Sequence, residues 1–121
     1  KMGINSTGTA YNFGQLGSGF VNSTGAFTPP AGKVIVAITF LVADQTLAGL
    51  VADTSAYTKA DGSEGDAYFS HTAAVAANGG GSDPTDANTK FPAGMTIYGR
   101  WTSITLSGAD ADGGVMCYFG Y

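Results

Sequence analysis

Residues able to carry chemistry are few in this chain, and they stand apart. There is one histidine, His71, and one cysteine, Cys117. A Cys–His couple would need the two within hydrogen-bond reach and a third group to orient the base. Nothing in their spacing brings them together. Cys117 sits in an apolar run, where a buried and inert thiol is the usual condition. Serines are plentiful, but no nucleophile-elbow sequence surrounds one. The clustered His and Cys ligands of a zinc site are missing. Gly14, Gly17 and Gly19 lack the following helix that a phosphate-cradling glycine loop requires. Two acidic stretches resemble the start of a calcium loop: Asp110-Ala111-Asp112-Gly113, and residues 61–66 with Glu64. Calcium takes about six to eight oxygens, including a bidentate acid that closes the loop. Counting on from Asp110, the chain reaches Tyr121 without that acid, and a turn between the last two strands accounts for residues 110–114 without an ion. The expectation is a protein with no catalytic residues, no cofactor and no metal. It is not an enzyme, and it works by contact.

Charge narrows the partners. The net charge is −4, and the basic residues Lys1, Lys33, Lys59, Lys90 and Arg100 are scattered. No basic stripe exists to neutralise phosphates, so nucleic acid is excluded. The apolar run 34–43 is half the ~20 residues that span a bilayer and carries Thr39, so no membrane is expected. A single cysteine rules out an internal disulfide framework.

The aromatic residues are the more informative set. Six Tyr, seven Phe and one Trp are more than a core of this size takes with every polar tip satisfied. Tyr and Trp are favoured at interfaces, where a rigid body gains area and the polar end finds a partner. Tyr11, Phe13, Tyr57, Tyr98 and Tyr121 are the interface candidates. Each alone fits a core equally well. As a set, beside a charged content of only 12%, they favour a subunit contact and a homo-oligomer.

The elements that must position these residues read as β. The stretch 33–43, KVIVAITFLVA, is rich in β-branched residues and follows Pro29, Pro30 and Gly32. Apolar residues at nearly every position imply a central strand covered on both faces. The stretch 95–106, MTIYGRWTSITL, is the second long strand. Met95, Ile97, Gly99 and Trp101 share one parity there, while Ile104 and Leu106 fall on the other. Strand side chains alternate with a period of two, so a β-bulge near Thr102 or Ser103, or a strand crossing between sheets, must reconcile them. Gly99 marks a close backbone approach or a slot beneath an aromatic ring. Ile35, Ile38, Phe40, Ile97 and Trp101 form the expected core. Shorter candidate strands cover 10–16, 19–22, 47–52, 66–72 and 114–121, and a short alanine-rich helix at 71–78 is the weakest candidate.

Punctuation supports the same picture. Pro-Ala-Gly stands before both long strands, at 30–32 and 92–94, a natural turn into extended chain. Two similar β-corners, or reuse of a favourable turn, would both produce it. Asn5-Ser6-Thr7-Gly8 and Asn22-Ser23-Thr24-Gly25 match a glycosylation sequon, and they also match ordinary Asx turns. Flexible loops are expected at 53–66 and 77–90. Together these readings predict a single domain over residues 1–121, all-β, an antiparallel β-sandwich or barrel of jelly-roll-like type. With 19 glycines and little charge, its surface suits coverage by neighbours, although a compositional bias of the source would produce the same numbers.

Three blocks carry a family resemblance: Gly19-Phe20-Val21 through Pro30-Ala31-Gly32; Phe91-Pro92-Ala93-Gly94-Met95-Thr96-Ile97-Tyr98-Gly99-Arg100-Trp101-Thr102; and Asp112-Gly113-Gly114-Val115-Met116-Cys117-Tyr118. Over these blocks, about a quarter of the chain, they resemble small virion structural proteins of tailed marine, cyanophage-like bacteriophages. Tyr-Gly-Arg-Trp inside a strand is the most specific part. The resemblance implies a virion structural protein, and a capsid decoration or cement protein on the phage head surface fits the size, charge and architecture. The partners it implies are the major capsid protein or other virion proteins. A host-recognition module, such as a tail-fibre or carbohydrate-binding head domain, is the alternative.

Overall fold

The computed structural model describes residues 14–56, 62, 69–70, 84–85, 87–109 and 113–121. Pro30-Ala31-Gly32-Lys33 and Pro92-Ala93-Gly94-Met95 fold as the same turn. The Lys33 amide donates to the Pro30 carbonyl at 3.0 Å, and the Met95 amide to the Pro92 carbonyl at 3.3 Å. Gly32 and Gly94 take φ of 78° and 85°, the left-handed value that a type II turn requires at its third position. Each turn hands the chain into a long strand, so the sequence echo is one corner used twice.

Five strands form among the described residues: β1 (Ser18–Val21), β2 (Val34–Phe40), β3 (Leu47–Ala52), β4 (Thr96–Leu106) and β5 (Val115–Gly120). They make one antiparallel sheet in the order β1-β5-β2-β4-β3. The all-β, sandwich- or barrel-like expectation stands, built from a single sheet closing on one core, with no second sheet among the described residues. Six of the seven residues of β2 are buried, as a strand with neighbours on both edges should be. Its ends retract from the expected 33–43, and Leu41 is already exposed.

Two local expectations are corrected. The described end of the 10–16 strand candidate is a turn at 14–16, because Gly14 and Gly17 take φ of 91° and 112°. Within 66–72, Phe69 and Ser70 form a bend with Phe69 at φ 45°, which directs its carbonyl inward. β4 and β5 pair with opposite edges of β2, and the turn expected at 110–114 lies mostly outside the described residues. The helix candidate 71–78 lies outside the described residues, as do most of 53–66 and much of 77–90. Thr54–Ala56 is a short 3-10 turn, and Asn22 to Gly25 leads into an exposed bend.

The parity conflict in β4 is resolved by a bulge. Val51 pairs with Ser103 and Ala52 with Trp101, which leaves Thr102 as the unpaired extra residue. Trp101, Ile104 and Leu106 thereby all face the core. Beyond the bulge Phe27 takes over the edge that β2 has left, exchanging hydrogen bonds with Ile104 at 2.8 and 3.0 Å. Bulges bend the strand that carries them, and here the bend lets both halves of β4 cover one cluster.

That cluster contains Ile35, Ile38, Phe40 and Trp101, joined by Leu47, Leu50, Val115, Cys117 and Phe119. Ile97 is only partly buried and packs against its margin. Phe40 and Phe91 stack with centroids 4.4 Å apart. A Cβ on Gly99 would stand 2.8 Å from the Trp101 ring, so the glycine is the slot beneath the indole. Gly114 is stricter still: its φ is 141°, and a Cβ there would stand 2.1 Å from the Val21 carbonyl oxygen. No side chain fits where β5 meets the end of β1.

Candidate functional site

The registers place two rows of side chains on the face of the sheet away from the core. One row runs Phe20, Met116, Thr39, Thr96 across β1, β5, β2 and β4; the next runs Ser18, Tyr118, Ala37, Tyr98. Each belongs to the parity opposite that of Val21, Cys117, Ile38 and Ile97, which turn inward. No residue of either row is charged. Tyr98 is 76% exposed and Phe20 53%. Leu41 continues the period two positions beyond Thr39, and its amide donates to the Gly114 carbonyl at 3.0 Å. The face therefore has an apolar end, with Phe20, Met116 and Leu41, and an end bearing two tyrosines.

At the tyrosine end is an open cleft of about 380 Å³ lined by Gly14, Gln15, Ala37, Thr39, Thr96, Tyr98 and Tyr118. Ala37 lies between the tyrosines in the sheet and gives the cleft a low floor. The Thr39 and Thr96 hydroxyls bond each other at 2.8 Å. Gly14 brings the incoming chain against Tyr118, where a Cβ would stand 3.0 Å from that residue's own Cβ.

A second polar cluster ties the sheet together at Asp53. Its carboxylate accepts the Ser55 hydroxyl at 2.6 Å, the Ser55 amide at 3.1 Å and the Arg100 Nε at 3.2 Å. Arg100 Nη1 also donates to the Tyr121 carbonyl, and the Asp53 amide donates to the Arg100 carbonyl at 2.9 Å. Burial raises the Asp53 pKa, but the Ser55 bonds and the Arg100 charge together outweigh it, so the group stays below its ordinary value. The cluster joins the ends of β3, the bulged part of β4 and the end of β5. It holds a carboxylate already satisfied by three donors, which is a tether and not a general base.

Cys117 is fully buried, and burial pushes its thiol up to about 12, so it is not a nucleophile at neutral pH. His71 lies outside the described residues, as do Asp110, Asp112 and the acidic residues of 61–66. Among the described residues no group of His, Cys, Asp and Glu converges as a metal site would. No helix among them is long and apolar enough to cross a membrane.

Of the interface candidates, Tyr98 and Tyr121 are exposed, on the cleft and beside Arg100 respectively; Tyr11, Phe13 and Tyr57 lie outside the described residues. Tyr118, Met116, Phe20 and Ala37 were not among those candidates. The alternation within 115–119 carries the signal for two of them, but only the register shows which parity faces out. Comparison with protein-family models, curated proteins and solved structures finds no match.

Proposed function

We propose that this protein is a non-enzymatic virion structural protein, a decoration or cement protein that binds the phage head surface and stabilises it. The observation that carries the reading is the apolar end of the sheet's outer face, which presents Phe20 and Leu41 to solvent beside a half-buried Met116. Exposed large apolar residues gathered on one face mark contact surfaces. An interface poor in ion pairs holds through buried area and changes little with salt. Many such contacts repeated over a symmetric shell add by avidity, so each one alone can be weak. The partners in this reading are the major capsid protein and further copies of the same chain.

Three measurements on purified particles test it. The protein should be present in numbers comparable with the capsid subunits and should survive a wash in molar salt. Particles lacking it should rupture more easily. A few copies per particle, with particle strength unaffected by loss of the protein, would instead favour a host-recognition module. Release by modest salt would refute contact through the apolar end.

A further inference from the structure

We propose that the cleft between Tyr98 and Tyr118 is a binding site for a neutral saccharide. This goes beyond the particle role and does not rest on it, since the docking surface above uses the apolar end of the face. The two tyrosines flank Ala37 on neighbouring strands. Two strand spacings put their backbones roughly 10 Å apart, which leaves room for one saturated six-membered ring between aromatic side chains. The alanine floor does not rise to obstruct it.

The lining selects the chemistry. A pyranose has apolar C–H faces and an equatorial belt of hydroxyls. Aromatic rings take the faces, and short hydroxyl and amide groups take the belt. The cleft supplies both sets. Thr39 and Thr96 use one proton on each other, which leaves the second hydroxyl proton and the remaining lone pairs for a ligand. Gln15, exposed at the rim, adds an amide with two donors and an acceptor. The phenol groups of Tyr98 and Tyr118 add a donor and an acceptor each. No lining residue is charged, and Arg100, two positions beyond Tyr98 on the same face, is already paired with Asp53, so the lining favours a neutral ligand. The volume of about 380 Å³ lies at the lower end of the about 300–1,000 Å³ of small-molecule sites. Being open, the cleft suits a unit within a glycan chain. Gly14, packed against the stem of Tyr118, holds one wall in place before any ligand arrives.

The test is a titration of the intact, isotopically labelled chain with chitohexaose, cellohexaose and maltohexaose, followed by amide NMR. At least one should give saturable shifts at Ala37, Thr39, Thr96 and Tyr98. Tyr98→Ala should weaken that binding by about tenfold, the scale of one lost aromatic contact, while Tyr98→Phe retains most of it. Because Tyr98 is 76% exposed, both variants should fold, and an unchanged amide spectrum away from the cleft verifies this. No shift with any of the three at millimolar concentration would overturn the proposal. So would equal affinity in Tyr98→Ala, or tighter binding of a sulfated oligosaccharide. Particle retention of Tyr98→Ala, measured alongside, separates this site from the docking role.

Discussion

Replacing Trp101 by phenylalanine should free the chain at Phe69 and Ser70 while leaving the sheet folded. The indole fills the centre of the core at 2% exposure, and its N–H donates to the Phe69 carbonyl at 3.1 Å. Phe69 also meets the indole edge-on, at 6.3 Å between centroids. The next residue, Ser70, is buried, and its hydroxyl donates to the Leu50 carbonyl at 3.0 Å and accepts the Ala52 amide at 3.3 Å. Ser70 thus occupies the outer edge of β3 where another strand would pair. A phenyl ring keeps most of the apolar burial but loses the donor. The Phe69 carbonyl then loses a partner, and the smaller ring leaves a gap above Gly99. Together these should cost about 2–4 kcal/mol, which lowers Tm by roughly 10 °C for a chain of this length. Trp101→Ala should cost about 3–5 kcal/mol or more, much of a typical domain's ~5–15, and give little soluble protein. The discriminating assay is amide exchange at Ala52. Its protection should fall well below that of Ile38 in Trp101→Phe, because Ser70 is no longer held against it. Unchanged Ala52 protection would refute the view that the indole N–H anchors Ser70. A Trp101→Ala variant melting within a few degrees of the parent would remove Trp101 from the core.

Two further outcomes follow from the titratable groups. Cys117, with its thiol pushed up to about 12 by burial, should not react with a disulfide reagent at pH 8 in the native protein. It should react at once in denaturant, and equal rates in the two states would contradict the burial. Asp53 has a folded pKa below its ordinary value, so it contributes stability that is present above the unfolded carboxylate pKa. That contribution is lost as pH falls through the folded value. Asp53→Asn should therefore lower Tm at neutral pH and flatten its dependence on pH below about 4; parallel acid profiles for parent and variant would show that the Ser55 and Arg100 bonds do not favour the ionised form.

Much of the fold is legible in the order of the residues, and for local reasons. The opposing parities of Trp101 and Ile104 demand a break in alternation, and Thr102 supplies it as a bulge. The Pro-Ala-Gly repeats encode the same turn twice, because proline restricts φ and only glycine readily takes the left-handed third position. Gly99 next to a large ring in the same strand implies a slot, and the indole fills it. The outer face is less legible. Tyr118 stands among apolar neighbours that do not mark it as outward-facing, and Phe20 gives no sign of which way it turns. Period two states which residues share a face; the pairing partners decide which face is covered.

The amino-acid sequence by itself determined where the two long strands extend, which turn leads into each and that the second must bend, since those choices are made by neighbours a few positions apart. Only the tertiary structure decided that β5 lies between β1 and β2, and so that Tyr98 and Tyr118 stand on either side of Ala37. That arrangement joins residues some sixty to eighty positions apart, and closing such loops is worth its entropy only when the whole core forms at once.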